Sequence, residues 1–146
     1  MATTVERDTV FRYQELPAIS FSADTSQPVL TAGNKVLKGS IADISAGKVI
    51  AAVDTPAAGS AVLGIAQETY DASGSGVDVH LPMVFRRGQC FVDNDTVNPV
   101  TAALCGLSVF IKDNITVTAL TPGAGALTVR CVGLSPDASQ VEIYIP

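Results

Sequence analysis

The most regular alternation in the chain runs from Val77 to Phe85. Val77, Val79, Leu81, Met83 and Phe85 share one parity, while Asp78, His80 and Arg86 fall on the other, with Pro82 and Val84 between them. A period of two over nine residues predicts a strand with one buried face. Pro82 has no amide to give to a ladder, which predicts an edge or a bulge there. Upstream, "AVLGIAQET" reads as a strand and "DASGSG" as the turn that reverses the chain, so Gly59 to Pro82 is predicted to be a hairpin. The same alternation marks Leu107 to Ile111 and Val141 to Ile145. "ITVTAL" and "ALTVRCVGL" are further strands, with Asp113-Asn114 and "TPGAG" as turns. Earlier in the chain, "VLTAGNKVLKG" is a strand broken at Gly33-Asn34. "IADISAGKVIAAVD" turns at Ala46-Gly47, after which Val49, Ala51 and Val53 alternate. One stretch differs: Asp95 or Thr96 is placed to cap a helix of at most two turns that includes Ala102, Ala103 and Leu104 and ends at Gly106. Short strands at this spacing predict a mainly β fold, a compact β-sandwich or small barrel with one or two short helices.

The first 27 residues do not follow this pattern. Alternation is weak, and Pro17 and Pro28 punctuate the segment. Yet Phe11, Tyr13 and Phe21 are three of the chain's eight aromatic residues. A segment too polar to form a core, but carrying rings, is predicted to be an extended N-terminal arm or an edge segment that docks on something. The predicted organisation is therefore residues 1–27 as arm or edge segment and 28–146 as one β-rich domain, with Phe11, Tyr13 and Phe21 as candidate contact residues.

Composition sharpens this picture. Hydrophobic residues make up 47% of the 146 residues, but aromatics only 5%, and Trp is absent. The core must be aliphatic, which suits paired strands better than a ring-lined ligand pocket. A formal net charge of −5 with scattered Lys and Arg argues against nucleic-acid binding. No run of about 18 apolar residues exists to cross a membrane, and the N-terminus lacks an apolar signal core.

Candidate chemistry is sparse. Cys90, Cys105 and Cys131 each sit among apolar neighbours and form no CxxC pair, which predicts small, buried, reduced hydrophobes. The single histidine, His80, shares a strand face with Asp78, but a metal site or a serine triad needs more. Ala42 to Val49 approaches a phosphate-binding loop through Gly47-Lys48, yet Val49 stands where a Ser or Thr must hold Mg²⁺. Asp93 and Asp95 have the i, i+2 spacing of a calcium loop. Val97, Asn98 and Leu104 break the rest of that pattern, leaving an Asx turn or helix entry as the expectation and a weak cation site as the rival. No catalytic residue, cofactor or metal is predicted, and the chain reads as a non-enzyme.

Three segments carry a resemblance to a known family. "AVLGIAQETYDASGSGVDVHLPMVFRRG" is similar to a pattern in tailed-bacteriophage head decoration (cement) proteins, in which a Leu/Val-Gly-Ile/Val-Ala strand precedes a Gly-bearing turn and a Val-rich alternating strand. "VDNDTVNPVTAALCGLSVFIKDNITVT" resembles phage structural proteins, and "TAGNKVLKGSIADISAGKVIAAVD" shares their turn-and-strand character. The resemblance covers about two-thirds of the chain and carries no catalytic residues. It implies a protein made in the host bacterial cytoplasm and located on the outer surface of the virion capsid. There it would bind the major capsid protein, staple neighbouring subunits, and self-associate, with a trimer favoured over a dimer or monomer. A phage tail, baseplate or fibre component is the alternative. A carbohydrate-binding module is less favoured, because sugar platforms usually need exposed aromatics.

Overall fold

The computed structural model describes residues 3–22 and 28–146, with side chains throughout except those of residues 12–17. Strand accounts for 44% and helix for 2%, so the fold is mainly β. Among the described residues, twelve strands follow one another: β1 (Phe11–Phe21), β2 (Val29–Leu30), β3 (Lys35–Val36), β4 (Ile41–Ser45), β5 (Lys48–Ala51), β6 (Ala61–Ala66), β7 (Tyr70–Asp71), β8 (Met83–Asn94), β9 (Ser108–Ile111), β10 (Thr116–Thr118), β11 (Thr128–Leu134) and β12 (Gln140–Ile145). The only helix among the described residues is a single 3-10 turn at Ala102–Leu104. No helix among them is long and apolar enough to cross a membrane.

The long strand β8 is the spine. Along one edge it pairs antiparallel with β1 and then, at Asp93 and Asn94, parallel with β10. Along the other edge it pairs antiparallel with β6, at Phe85 and Arg86, and then with β12 from Gly88 to Asp93. The β10–β8 pairing closes β8, β12, β11, β9 and β10 into a five-stranded barrel. The remaining strands β6, β4, β5 and β2 extend the sheet away from the barrel, and β3 with β7 forms a small second ladder.

Alternation along the strands explains the packing. Val141, Ile143 and Ile145 on β12, Val109 and Ile111 on β9, and Cys90 and Val92 on β8 form one aliphatic core, joined by Ile41, Ile65 and Val117. Met83 and Phe85, of the opposite parity on β8, belong to a second core with Leu30, Val36, Val49 and Leu63. The spine thus carries a core on each face. Burying a side chain such as Phe85 or Ile143 contributes about 1.5–3 kcal/mol. The second core holds a cluster of rings: Phe85 lies 5.7 Å from Tyr70 and 6.2 Å from Phe21, both tilted.

Local chemistry accounts for the turns. Ala46 and Gly47 both have positive φ, 49° and 76°. That is the conformation of a two-residue hairpin connection that matches strand twist, and it joins β4 to β5. The same residues therefore make a β-turn and not a phosphate loop, and Lys48 is 3.1 Å from Asp78.

Four sequence expectations need correction. The alternation from Val77 to Leu81 is not a strand. Val79 makes one bridge to Leu30, Val77 is exposed, and regular pairing starts only at Met83, after Pro82. The Val79 backbone exchanges two hydrogen bonds with Leu30, and beside them the Asp78 carboxylate accepts from the Ala32 amide. Gly59 to Pro82 is consequently not a closed hairpin, because β6 pairs with β8 while β7 pairs with β3. Leu107, of the same parity as Val109 and Ile111, is exposed, because β9 begins only at Ser108. The helix start is neither Asp95 nor Thr96 but Thr101, without a side-chain cap.

Candidate functional site

The N-terminal segment is held against the domain by specific bonds. The backbone of Thr3 exchanges two hydrogen bonds with the Asn114 side chain, at 3.0 and 3.1 Å. Glu6 accepts from Thr69. The Arg7 amide donates to the Lys38 carbonyl at 3.0 Å, and its guanidinium pairs with Asp93 at 3.2 Å. Thr9 donates to the Gly39 carbonyl. Gly39 is required for this approach: its φ is +82°, and a Cβ there would lie 2.0 Å from the Arg7 carbonyl oxygen. Val10 then accepts from the Phe91 amide, and β1 continues along β8. Between its anchor points the segment leaves Val5 and Val10 exposed, at 69% and 57%.

The candidate contact residues fall differently. Phe11 is half-buried against the barrel-side core, with the Arg86 guanidinium 4.0 Å over its ring. Phe21 packs against the second core beside Phe85. Tyr13 lies among the side chains outside the described set, as do residues 23–27. Sequence reasoning missed Val5 and Val10, which no aromatic or periodic signal marks.

A cleft of about 170 Å³ lies beside this segment, lined in part by Arg7, Asp8, Lys38, Gln67 and Arg86. Its cations are already engaged: Arg7 with Asp93, Lys38 with Asp8 at 3.2 Å, and Arg86 with Phe11. The Lys38 amine is held above its ordinary range by the hydrogen bond and charge of Asp8, with smaller help from Glu68 and Glu6.

Asp93 and Asp95 do not form a shared site. Asp93 turns to Arg7. Asp95, 3% exposed, accepts from the amides of Val97 and Asn98, from the Thr118 hydroxyl and from Lys112 at 2.8 Å. The amide bonds make it an Asx turn, and the Lys112 ammonium stands where a cation would. Burial raises the Asp95 pKa, but the bonds from Lys112, Val97, Thr118 and Asn98 outweigh it and hold the carboxyl well below its usual range. Among the described residues, no group of three or more His, Cys, Asp and Glu side chains is gathered to hold a metal.

Asp43 is the opposite case. It lies on β4 with the parity of Ile41, is 1% exposed, and neither carboxylate oxygen has a hydrogen-bond partner. Burial pushes its pKa up to about 7; the backbone N–H of Val53 opposes the rise without completing a hydrogen bond. His80 is exposed, and Asp78 is held low first by the Ala32 amide and then by Lys48, with His80 a minor influence.

Of the cysteines, Cys90 and Cys131 are buried free thiols, but Cys105 is exposed, against the expectation of three buried ones. The reason is its place just after the 3-10 turn, none of whose residues is buried. Burial raises the Cys90 thiol to about 12, with Glu142 adding to the rise.

The chain matches no family model, no curated protein and no solved structure.

Proposed function

We propose that this chain is a non-enzymatic bacteriophage capsid decoration protein. It binds the outer surface of the expanded head, bridges neighbouring major capsid subunits and resides in the virion. The observation that carries the reading is the N-terminal segment: residues 3–10 are anchored at several points to a rigid barrel and sheet, yet hold Val5 and Val10 out to solvent. Apolar side chains on a fixed frame lose little conformational entropy when they dock. The sequence resemblance stated above and the acidic charge of −5 agree with a partner that is protein and not DNA. Association as trimers at local three-fold positions would let three such segments act together, so that modest contacts accumulate.

Co-sedimentation with expanded, DNA-free heads tests this. The protein should pellet with heads, and V5D/V10D should weaken attachment at least tenfold while leaving the melting temperature within a few degrees. Failure of the wild type to bind heads refutes the proposal, and binding to tails instead would assign the chain to the tail.

A further inference from the structure

Two cysteines are brought together where the chain leaving the 3-10 turn is bonded to β11. The Gly106 amide donates to the Cys131 carbonyl at 2.7 Å, and the Cys131 amide donates to the Leu107 carbonyl at 2.8 Å. These bonds fix the chain just after Cys105 against β11, which brings the Cys105 side chain near enough to Cys131 to raise its pKa. Cys105 is exposed and Cys131 fully buried. The nearest other polar contact of Cys131 is weak, to the Gly133 carbonyl at 3.8 Å. Cys90, also fully buried, is on β8.

We propose that Cys105 and Cys131 form a thiol–disulfide exchange site, at which a small external disulfide such as oxidised glutathione converts the pair into an internal disulfide. The asymmetry in exposure sets the order of events. The Cys105 thiolate, reachable from solvent, attacks one sulfur of the external disulfide, forming a mixed disulfide and releasing one thiolate. Cys131 then gives up its proton to solvent and attacks the Cys105 sulfur, expelling the second thiolate. The protein loses two electrons and two protons, and the external disulfide becomes two thiols. Burial, and then the neighbouring Cys105, raise the Cys131 thiol to about 11. The second step is therefore the slow one near neutral pH and accelerates as pH rises.

The product ties the loop after the 3-10 turn to β11 and closes the intervening chain, which contains β9 and β10. Cross-links of this kind stabilise chiefly by restricting the unfolded chain. The device goes beyond attachment to a head and does not depend on it.

The test uses the full chain in buffers of graded reduced and oxidised glutathione, with free-thiol counting, intact mass and peptide mapping. The expected result is monomer that has lost two hydrogens, reacts at one thiol instead of three, and yields a peptide joining Cys105 to Cys131. Its melting temperature should rise by several degrees over the reduced protein. C105S, altered only at an exposed position, should remain folded and form no internal link. C90A should still form it. A glutathione adduct on Cys105 that never resolves, a Cys105-linked dimer, or three free thiols in full oxidant would each overturn the proposal.

Discussion

Asp43→Asn should stabilise this protein, and do so most at neutral to alkaline pH. The carboxylate is buried with both oxygens unpaired, and its pKa rises from the ordinary 3.8 to about 7. Folding therefore disfavours the charged form. The cost is fully present above pH 7, shrinks as pH falls from about 7 toward 4, and vanishes once the acid is protonated in both folded and unfolded chains. At 1.36 kcal/mol per pKa unit, a shift of about three units sets an upper bound of about 4 kcal/mol. Water penetration and local relaxation reduce the measurable part to about 1–3 kcal/mol. Asparagine is close in shape to the acid and uncharged, so it removes the cost of burying the charge. Urea unfolding of wild type and variant from pH 5 to pH 9 checks it. The variant should be more stable by about 1–3 kcal/mol at pH 8.5, and the gap should be clearly smaller at pH 5, because the folded-state carboxyl is protonated there while the unfolded one is still ionised. A difference that does not change with pH, or a variant less stable at pH 8.5, would refute the reasoning.

Asp95→Ala should cost about 2–4 kcal/mol, because it strands the Lys112 ammonium and leaves the Thr118 hydroxyl and two turn amides without their acceptor; chemical unfolding at pH 7 measures it. Since the Asp95 carboxyl titrates below its usual range, its stabilisation is present above about pH 4 and is lost as pH falls further, so the wild-type advantage over the variant should shrink on acidification. Gly39→Ala combines a positive φ with a clash against the Arg7 carbonyl and should cost about 1–3 kcal/mol. Limited proteolysis should then cut within residues 3–10 much faster than in the wild type, and an unchanged digestion pattern would contradict the docking described for that segment.

Much of the fold was legible because much of it is local. The β4–β5 hairpin is written in Ala46-Gly47, the inward face of β12 in Val141, Ile143 and Ile145, and the short helical turn in Ala102 to Leu104 before Gly106. Barrel closure was not legible, because it rests on a parallel pairing of Thr116 with Asp93 that no local pattern encodes. Val77 to Leu81 alternates like a strand, but pairing is a property of two segments, and among the described residues its one bridge is to Leu30. The site was harder still. Asp43 in "IADIS" reads as a polar-face residue, and its burial comes from the opposed Ile50 and Val62 and the packed layers around them. Asp95 was read as a turn or helix cap; the turn is there, but Lys112, just after β9, and Thr118, on β10, reach it from later in the chain. Phe11 and Phe21 drew attention as rings on a polar segment, whereas the exposed apolar side chains of that face are Val5 and Val10.

The most direct measurement of the central claim is binding of the purified full chain to expanded, DNA-free heads of its cognate major capsid protein, followed by co-sedimentation and by the temperature at which the heads come apart. Saturable binding in a fixed ratio to capsid subunits, together with a higher disassembly temperature, is the predicted result. Heads that sediment without the protein, or that bind it and come apart at an unchanged temperature, would contradict the account.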